Sequence, residues 1–492
     1  MVGRLPSRIL YFSTRQKKTL KQVLSETKKV LFLRGKQSPM NMERTYKLKK
    51  GLDLRLEGEA RHQLRQPQTP KCYAIRPDDF HGIVPRLVVK PGDEVKVGDA
   101  LFVDKATEKI RVVSPVSGTV KDIVRGTRRK ILHISVNPSA TPVFADFGKP
   151  NLNTISREEL IELLLRSGLF AFLRQRPYDV VASPEDSPKA LFISAFSKMP
   201  LAADFDFVVS GRESLFKAGI KALSKLCPVF VGIKPEQQNS TFLPLPEAEV
   251  NIFDGPNPSG NVGVQINHVS PINKGEVVWT LGAEEVCFVG ELVETGRVNL
   301  TRRVAVAGSE TINPEYIETL IGTPLADVLY ENVADTGHSQ RIINGNPLVG
   351  TKSDKDDFLG AHTTEICILP EGDDRHEVLG WIMPRLKEFS TNRSYLSWLL
   401  GKNKTYNPDC RIKGGERRMI MSGEYDRVFP MDIYAGYLIK AIIAGDIDRQ
   451  EALGIYEVAP EDFAVAEFVD SSKLELQRIV REALDILRKE NA

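Results

Sequence analysis

The run Pro91-Gly92-Asp93-Glu94-Val95-Lys96-Val97-Gly98-Asp99-Ala100-Leu101, followed by Ser114-Pro115-Val116-Ser117-Gly118-Thr119-Val120, decides how the first third of the chain is read. Two Gly-Asp turns and one Ser-Pro-x-x-Gly turn separate short alternating strands, the way a small flattened barrel closes its hairpins. From Ile83 to Val136 apolar pairs alternate with the same punctuation, and nothing repeats at helical spacing.

Beyond the barrel the text changes period. Ser156-x-x-Glu159 is a capping box opening an amphipathic helix over Leu160–Ser167, which Gly168 closes. Apolar runs at Ala190–Ala195, Phe207–Ser210 and Val229–Ile233, with a helix-like stretch at Glu213–Leu226, give the strand–helix–strand order of a parallel α/β unit. Leu243–Gly263 is rich in Pro, Gly and Asn and reads as a loop or domain seam. Residues 300–355 read as strands with one helix, Pro314 near its start and Gly322 near its end. The last sixty or so residues are helical, with Leu476, Ile479, Val480, Ala483, Leu484 and Leu487 on one stripe behind a second capping box, Ser472-x-x-Glu475.

The chain has 492 residues, enough for two to four domains. Its net charge of +3 hides an asymmetry: residues 1–41 carry ten Lys/Arg and one acid, Glu26, whereas the rest holds 57 basic and 63 acidic groups. The body is therefore no basic nucleic-acid binder. The extension matches a transit peptide in composition, or is an upstream stretch ahead of a start at Met42. No apolar run is long enough to span a bilayer; Phe429–Ile447 is broken by Asp432, Lys440 and Asp446. Cys72, Cys227, Cys287, Cys367 and Cys410 are an odd set without CxxC, which excludes a disulfide framework, a zinc ribbon and a Cys-ligated cluster and suits a reduced, cytoplasmic protein. No histidine pair has metal-ligand spacing, and neither a glycine-rich phosphate loop nor a GxSxG nucleophile occurs.

Two motifs carry candidate chemistry. The barrel resembles the barrel-sandwich hybrid domain of biotinyl and lipoyl carriers, in which Asp104-Lys105-Ala106 would make Lys105 a modified lysine or simply a structural one. In Arg166–Tyr178, Phe170, Phe172 and Tyr178 could sandwich a planar ring while Arg174 and Arg176 donate to a carbonyl or hold an acidic surface. The alternative is a helix end with its aromatics in a core and its arginines solvated.

In order, Lys49–Leu54, the barrel motif, Arg174–Tyr178, Pro200–Asp204, the His268 segment, Gly296–Ala307, Ile321–Leu325, Gly415–Arg418, Phe429–Ile433 and Leu453–Lys473 are similar to the NqrA family of bacterial Na+-translocating NADH:quinone reductases (Na+-NQR). The similarity spans residues 42–492. The family usually has His-Pro-Ala-Gly where this chain reads Asn257-Pro258-Ser259-Gly260.

The resemblance implies a multidomain α/β and β protein: a basic extension (1–41), a barrel-sandwich hybrid (42–150), a Rossmann-like α/β domain (151–299), a β-grasp SLBB domain (300–355), a mixed β connection (356–425) and a C-terminal helical domain (426–492). Related subunits of the Rnf complex and respiratory complex I place a glycine-rich flavin loop near where this chain has Phe170–Tyr178. They place cluster cysteines where this chain reads Ile455–Asp462 without any. The resemblance thus implies a chain with no flavin, Fe-S or metal of its own, in a six-subunit pump whose other five subunits carry flavins and Fe-S. Those partners pass electrons from NADH to quinone and export Na+. The chain is then peripheral, on the cytoplasmic face of the bacterial inner membrane, docked chiefly to an integral-membrane partner. Phe80, His81, Phe170, Phe172, Arg174, Arg176 and Tyr178 are expected to border quinone or that partner, with no catalytic residue and no turnover by the isolated chain. The rival expectations are a carrier modified at Lys105 and a flavin-binding electron-transfer protein of the Rnf type.

Overall fold

In a computed structural model of the protein, the described residues are 44–374, 385–391, 393, 395–401, 404–419 and 423–491. The basic extension lies outside them.

Leu191–Ser194, Val229–Ile233 and Val278–Thr280 are short, almost wholly buried runs. Strands covered on both faces read as continuous apolar text and pair in parallel. In space, the sheet runs Arg44–Lys47, Glu249–Asp254, Val229–Ile233, Leu191–Ser194, Val278–Thr280, Arg174–Arg176 and Val180–Val181. The first five are parallel, in register Leu191↔Val229 and Leu191↔Trp279, and the last two are antiparallel. The chain grows outward from Leu191–Ser194 on one side and returns to its other side at Val278–Thr280. The strand order therefore reverses between these two, and in open α/β sheets ligands sit outside the carboxyl ends at such a point.

Helices Glu213–Leu223 and Ala283–Thr295 pack closely, because Gly219 lies against the carbonyl of Val286 and Gly290 against that of Leu215. The barrel is two small sheets, one of Tyr73–Ile75, Ile131–Pro138, Gly118–Arg125 and Glu94–Val95, the other of Pro85–Leu87, Ala100–Asp104 and Arg111–Val113. Its core is continuous with that of the α/β sheet. A six-stranded mixed sheet follows, ordered Thr351–Ser353, Gln340–Asn344, Glu365–Pro370, Thr301–Ala307, Glu315–Leu320 and Arg61–Arg65. Helices from Glu424 to Glu490 form a further core around Phe429, Leu438, Phe463 and Leu484.

Several sequence expectations give way. The first strand, Arg44–Lys47, joins the α/β sheet and Arg61–Arg65 joins the six-stranded one, so the start of the expected 42–150 barrel is a strap across two other units. Glu365–Pro370 belongs to the six-stranded sheet although it falls in the expected 356–425 connection. The helix expected between Pro314 and Gly322 is a strand, Glu315–Leu320, because pairing with Thr301–Ala307 buries Tyr316 and Ile317. Phe207–Ser210 is no strand; Asp204 accepts a hydrogen bond from the Asp206 amide at 2.9 Å and starts a short helix, Phe205–Val209. Inside the expected 243–263 loop, Val250, Ile252 and Phe253 are buried in a strand. The second capping box does not form. Asp470 instead takes the amides of Ser472 and Leu474, and the helix begins at Leu476.

Candidate functional site

A crevice of about 530 Å³ opens where the strand order reverses, lined by Ser194 and Thr280 from the strand ends. Two helices begin on it: Ala283–Thr295 after Gly282, and Val262–Val269 after Asn261. Neither has a side-chain cap from its N-cap residue. The six-stranded sheet contributes Asn346, His362 and Glu365, the barrel Arg76 and Asp79, and the C-terminal helices Glu461.

One buried charge network stands behind the first helix. Arg302, on the strand Thr301–Ala307 of the six-stranded sheet, is wholly buried and pairs with Glu284 at 3.3 Å and with Glu285. Arg212 holds Glu284 at 2.7 Å. Burial alone would raise the Glu285 carboxyl, yet Arg302 and His362 bring it down to about 2. His362 approaches Glu285 at 3.5 Å through Nδ1, and its Nε2 is buried without a hydrogen-bond partner. Burial lowers its pKa against the pull of Glu285 at the crevice wall.

The second network joins the sheet edge to the C-terminal helices. Arg176, also wholly buried, reaches Glu461 at 3.1 Å, Asp462 at 3.3 Å and Asp179 at 3.8 Å. Asp179 also meets Arg481 at 2.8 Å and Arg174 at 3.6 Å. Desolvation pushes Glu461 up to about 7 and raises Asp462, with Arg176 opposing both.

The seven residues singled out in the sequence are distributed over this geometry. Phe172, Arg174 and Arg176 line the crevice. Phe80 lies behind it, edge-on to Phe172 at 5.6 Å and to His362 at 5.6 Å. Phe170 is core, edge-on to Trp279. His81 and Tyr178 face the last helix, Leu476–Glu490: His81 Nε2 meets Asp485 at 2.9 Å, and Tyr178 packs on Tyr456 while its carbonyl accepts from Arg481. Lys105 is exposed in the hairpin after Ala100–Asp104.

Sequence reasoning does not reach Glu285, His362, Asp462 or Arg302. The one available signal is Gly282-Ala-Glu284-Glu285, an acid pair in the first turn of a helix. His362 and Arg302 reach the site only through the fold.

A Cβ on Gly282 would collide with the Glu285 carboxylate, and one on Gly263 with that of Asp462, so the space at both helix starts is taken by carboxylates. Among the described residues no group of three or more His, Cys, Asp or Glu could hold a metal ion. Burial raises the thiols of Cys227 and Cys287 to about 12, which leaves them inert. Among the same residues no helix is long and apolar enough to cross a membrane.

Three family models match in order: an NqrA N-terminal barrel-sandwich hybrid domain over residues 46–139, an NqrA second alpha/beta domain over 155–298 and an NQRA C-terminal domain over 303–355. Curated relatives, the NqrA chains of Na(+)-translocating NADH-quinone reductases, match over almost their whole length. That of Photorhabdus laumondii is 34% identical over 90% of this chain and 99% of its own. Those of Haemophilus influenzae and Rhodopirellula baltica are 33% and 32% identical over 90% of this chain and 99% and 98% of theirs. An NAD+-reducing [NiFe]-hydrogenase structure overlaps 47% of this chain and 52% of its own at 14% identity and a TM-score of 0.32, too little to argue from.

Proposed function

The chain belongs to the NqrA family of Na(+)-translocating NADH-quinone reductase subunits, and we propose that it works as the peripheral member of such a complex on the cytoplasmic face of the bacterial inner membrane. Its partners are then five further subunits, chiefly an integral-membrane one, which supply flavins and Fe-S. In this reading the α/β sheet is Rossmann-like, the six-stranded sheet is an SLBB β-grasp and the segment from Glu424 to Glu490 is a helical domain.

The observation that carries the proposal is the crevice wall, where Phe172 and the arginines of the edge strand Arg174–Arg176 stand together. Phe172 offers an aromatic edge to a quinone ring, backed by Phe80 and Phe288. Among the described residues Arg174 has one ion pair, at 3.6 Å, and about a third of its side chain is exposed, so its guanidinium can donate to a quinone carbonyl and stabilise charge developing on that oxygen. Arg176 is committed to Glu461 and Asp462 and orients the strand. Phe170 packs on Trp279 of the neighbouring strand, and His81, through Asp485, and the Tyr178 carbonyl, through Arg481, reach the last helix. Electrons reach the quinone from other subunits, and the isolated chain is not expected to turn over.

Arg174→Ala and Tyr178→Phe introduced into the assembled complex provide the test. Arg174→Ala is expected to raise the quinone KM and weaken inhibitor binding, with a smaller change for Tyr178→Phe. Unchanged quinone kinetics and inhibitor binding in both variants would sink the proposal.

A further inference from the structure

We infer that Glu285 and Asp462 are specificity-determining residues: they set the chain's own carboxylates against Gly282 on the crevice and against Gly263, next to Val262 of its lining, and bar phosphate-bearing ligands, nucleotides and flavin nucleotides alike. The inference rests on reading this crevice as the ligand site.

A helix start beside a sheet's reversal point is a ready anion site, with free amides and a partial positive charge facing the opening. Here both starts are occupied. The Glu285 carboxylate folds back onto Gly282, which only a residue without a Cβ permits, and Arg302 neutralises it from behind. The Asp462 carboxylate lies in the same way on Gly263, the second residue of its helix, and is held by Arg176 at 3.3 Å and by the Ala459 amide at 2.9 Å. Neither carboxylate is on a mobile arm: Asp462 is wholly buried and only 6% of the Glu285 side chain is exposed. An arriving phosphate would find carboxylates lying against both glycines, the arginines paired and a fixed negative charge beside it, where low dielectric makes repulsion costly. A phosphate-free planar ligand meets no such penalty at the Phe172 wall.

The test uses the full chain and two probes, inorganic pyrophosphate and ADP, followed by titration calorimetry and 31P NMR. The wild type is expected to show no saturable uptake up to ~10 mM. Glu285→Ala and Asp462→Ala each vacate a helix start and take one partner from a buried arginine, leaving Glu284 to Arg302 and Glu461 with Asp179 to Arg176. Both variants are expected to melt lower than the wild type and to regain several degrees of Tm with pyrophosphate, relative to chloride at equal ionic strength, whereas the wild type gains none. Saturable pyrophosphate or ADP binding by the wild type overturns the inference. So does a folded Glu285→Ala or Asp462→Ala chain that gains nothing from pyrophosphate. Should either variant fail to fold, the wild-type titration decides alone, and Glu285→Gln, which fills the space without the charge, is expected to stay folded and bind weakly. Quinone plays no part in these measurements, so their failure is separable from failure of the quinone reading.

Discussion

Arg302 and Arg176 make an instructive pair. Each is fully buried, each stands behind a helix start on the same crevice, and each joins the α/β unit to a neighbour: Arg302 to the six-stranded sheet, Arg176 to the C-terminal helices. They differ in charge balance. Around Arg302, two arginines meet two carboxylates, Glu284 and Glu285. Around Arg176, three arginines (Arg174, Arg176 and Arg481) meet four carboxylates: Asp179, Glu461, Asp462 and Asp485. Arg302 and His362 keep Glu285 ionised down to about 2, whereas desolvation, helped by neighbouring Asp462 and Asp179, pushes Glu461 to about 7. A carboxylate in these seams is held down where cations face it directly, as at Glu285 and Asp179, and rises where a second carboxylate shares its cation, as at Glu461 and Asp462.

The largest expected effect is at the balanced seam. Arg302→Met leaves Glu285 buried without its cation and is expected to cost about 3–5 kcal/mol, read as a fall in Tm and urea midpoint. A loss indistinguishable from that of an exposed arginine would break the comparison. Arg176→Met should cost less, because Glu461 and Asp462 are both raised and can take up protons when their cation leaves. Its penalty should also shrink as the buffer moves from about pH 8 to about pH 5.

The pH dependence then sharpens the contrast, with opposite signs. Glu285 is lowered in the fold from 4.5, so its contribution is present above that value and is lost as pH falls through about 2. Glu461 is raised from 4.5, so its contribution is full below 4.5 and is lost as pH rises through about 7. Since 39% of the Glu461 side chain is exposed, solvent screens part of this. Glu461→Gln is expected to flatten the decline in Tm between about pH 5 and 8, and an unchanged slope would remove Glu461 from the account. The smallest effect belongs to His81→Ala, since the His81–Asp485 pair is exposed on both sides and should be worth under about 1 kcal/mol by chemical denaturation.

Local rules explain which parts of this are legible in the sequence. The first capping box forms as its residues indicate: Ser156 accepts from the Glu159 amide, Glu159 answers at the Ser156 amide, and Gly168 closes the helix at φ 78°. The stripe on Leu476–Glu490 is buried at Leu476, Val480, Ala483, Leu484 and Leu487. These features depend on residues three or four apart. Glu315–Leu320 misleads for the opposite reason, because its Pro and Gly brackets suit a helix and only the distant partner Thr301–Ala307 makes it a strand. The crevice sits between these cases. Phe172, Arg174 and Arg176 are visible as a cluster in sequence, but Glu285, His362, Asp462 and Arg302 come from four separate stretches that only the completed sheet order brings together. Ile455–Asp462 stands out in sequence for its lack of cysteine; its Glu461 and Asp462 prove to be the partners of Arg176.

The most direct test of the central reading is recovery of the tagged protein from detergent-solubilised membranes, with mass spectrometry of what accompanies it and an absorbance spectrum of the separated chain. The expected result is co-purification with flavin-bearing, integral-membrane partners while the chain itself is colourless. A chain that stays alone in the soluble fraction, or that carries its own flavin spectrum, would contradict it.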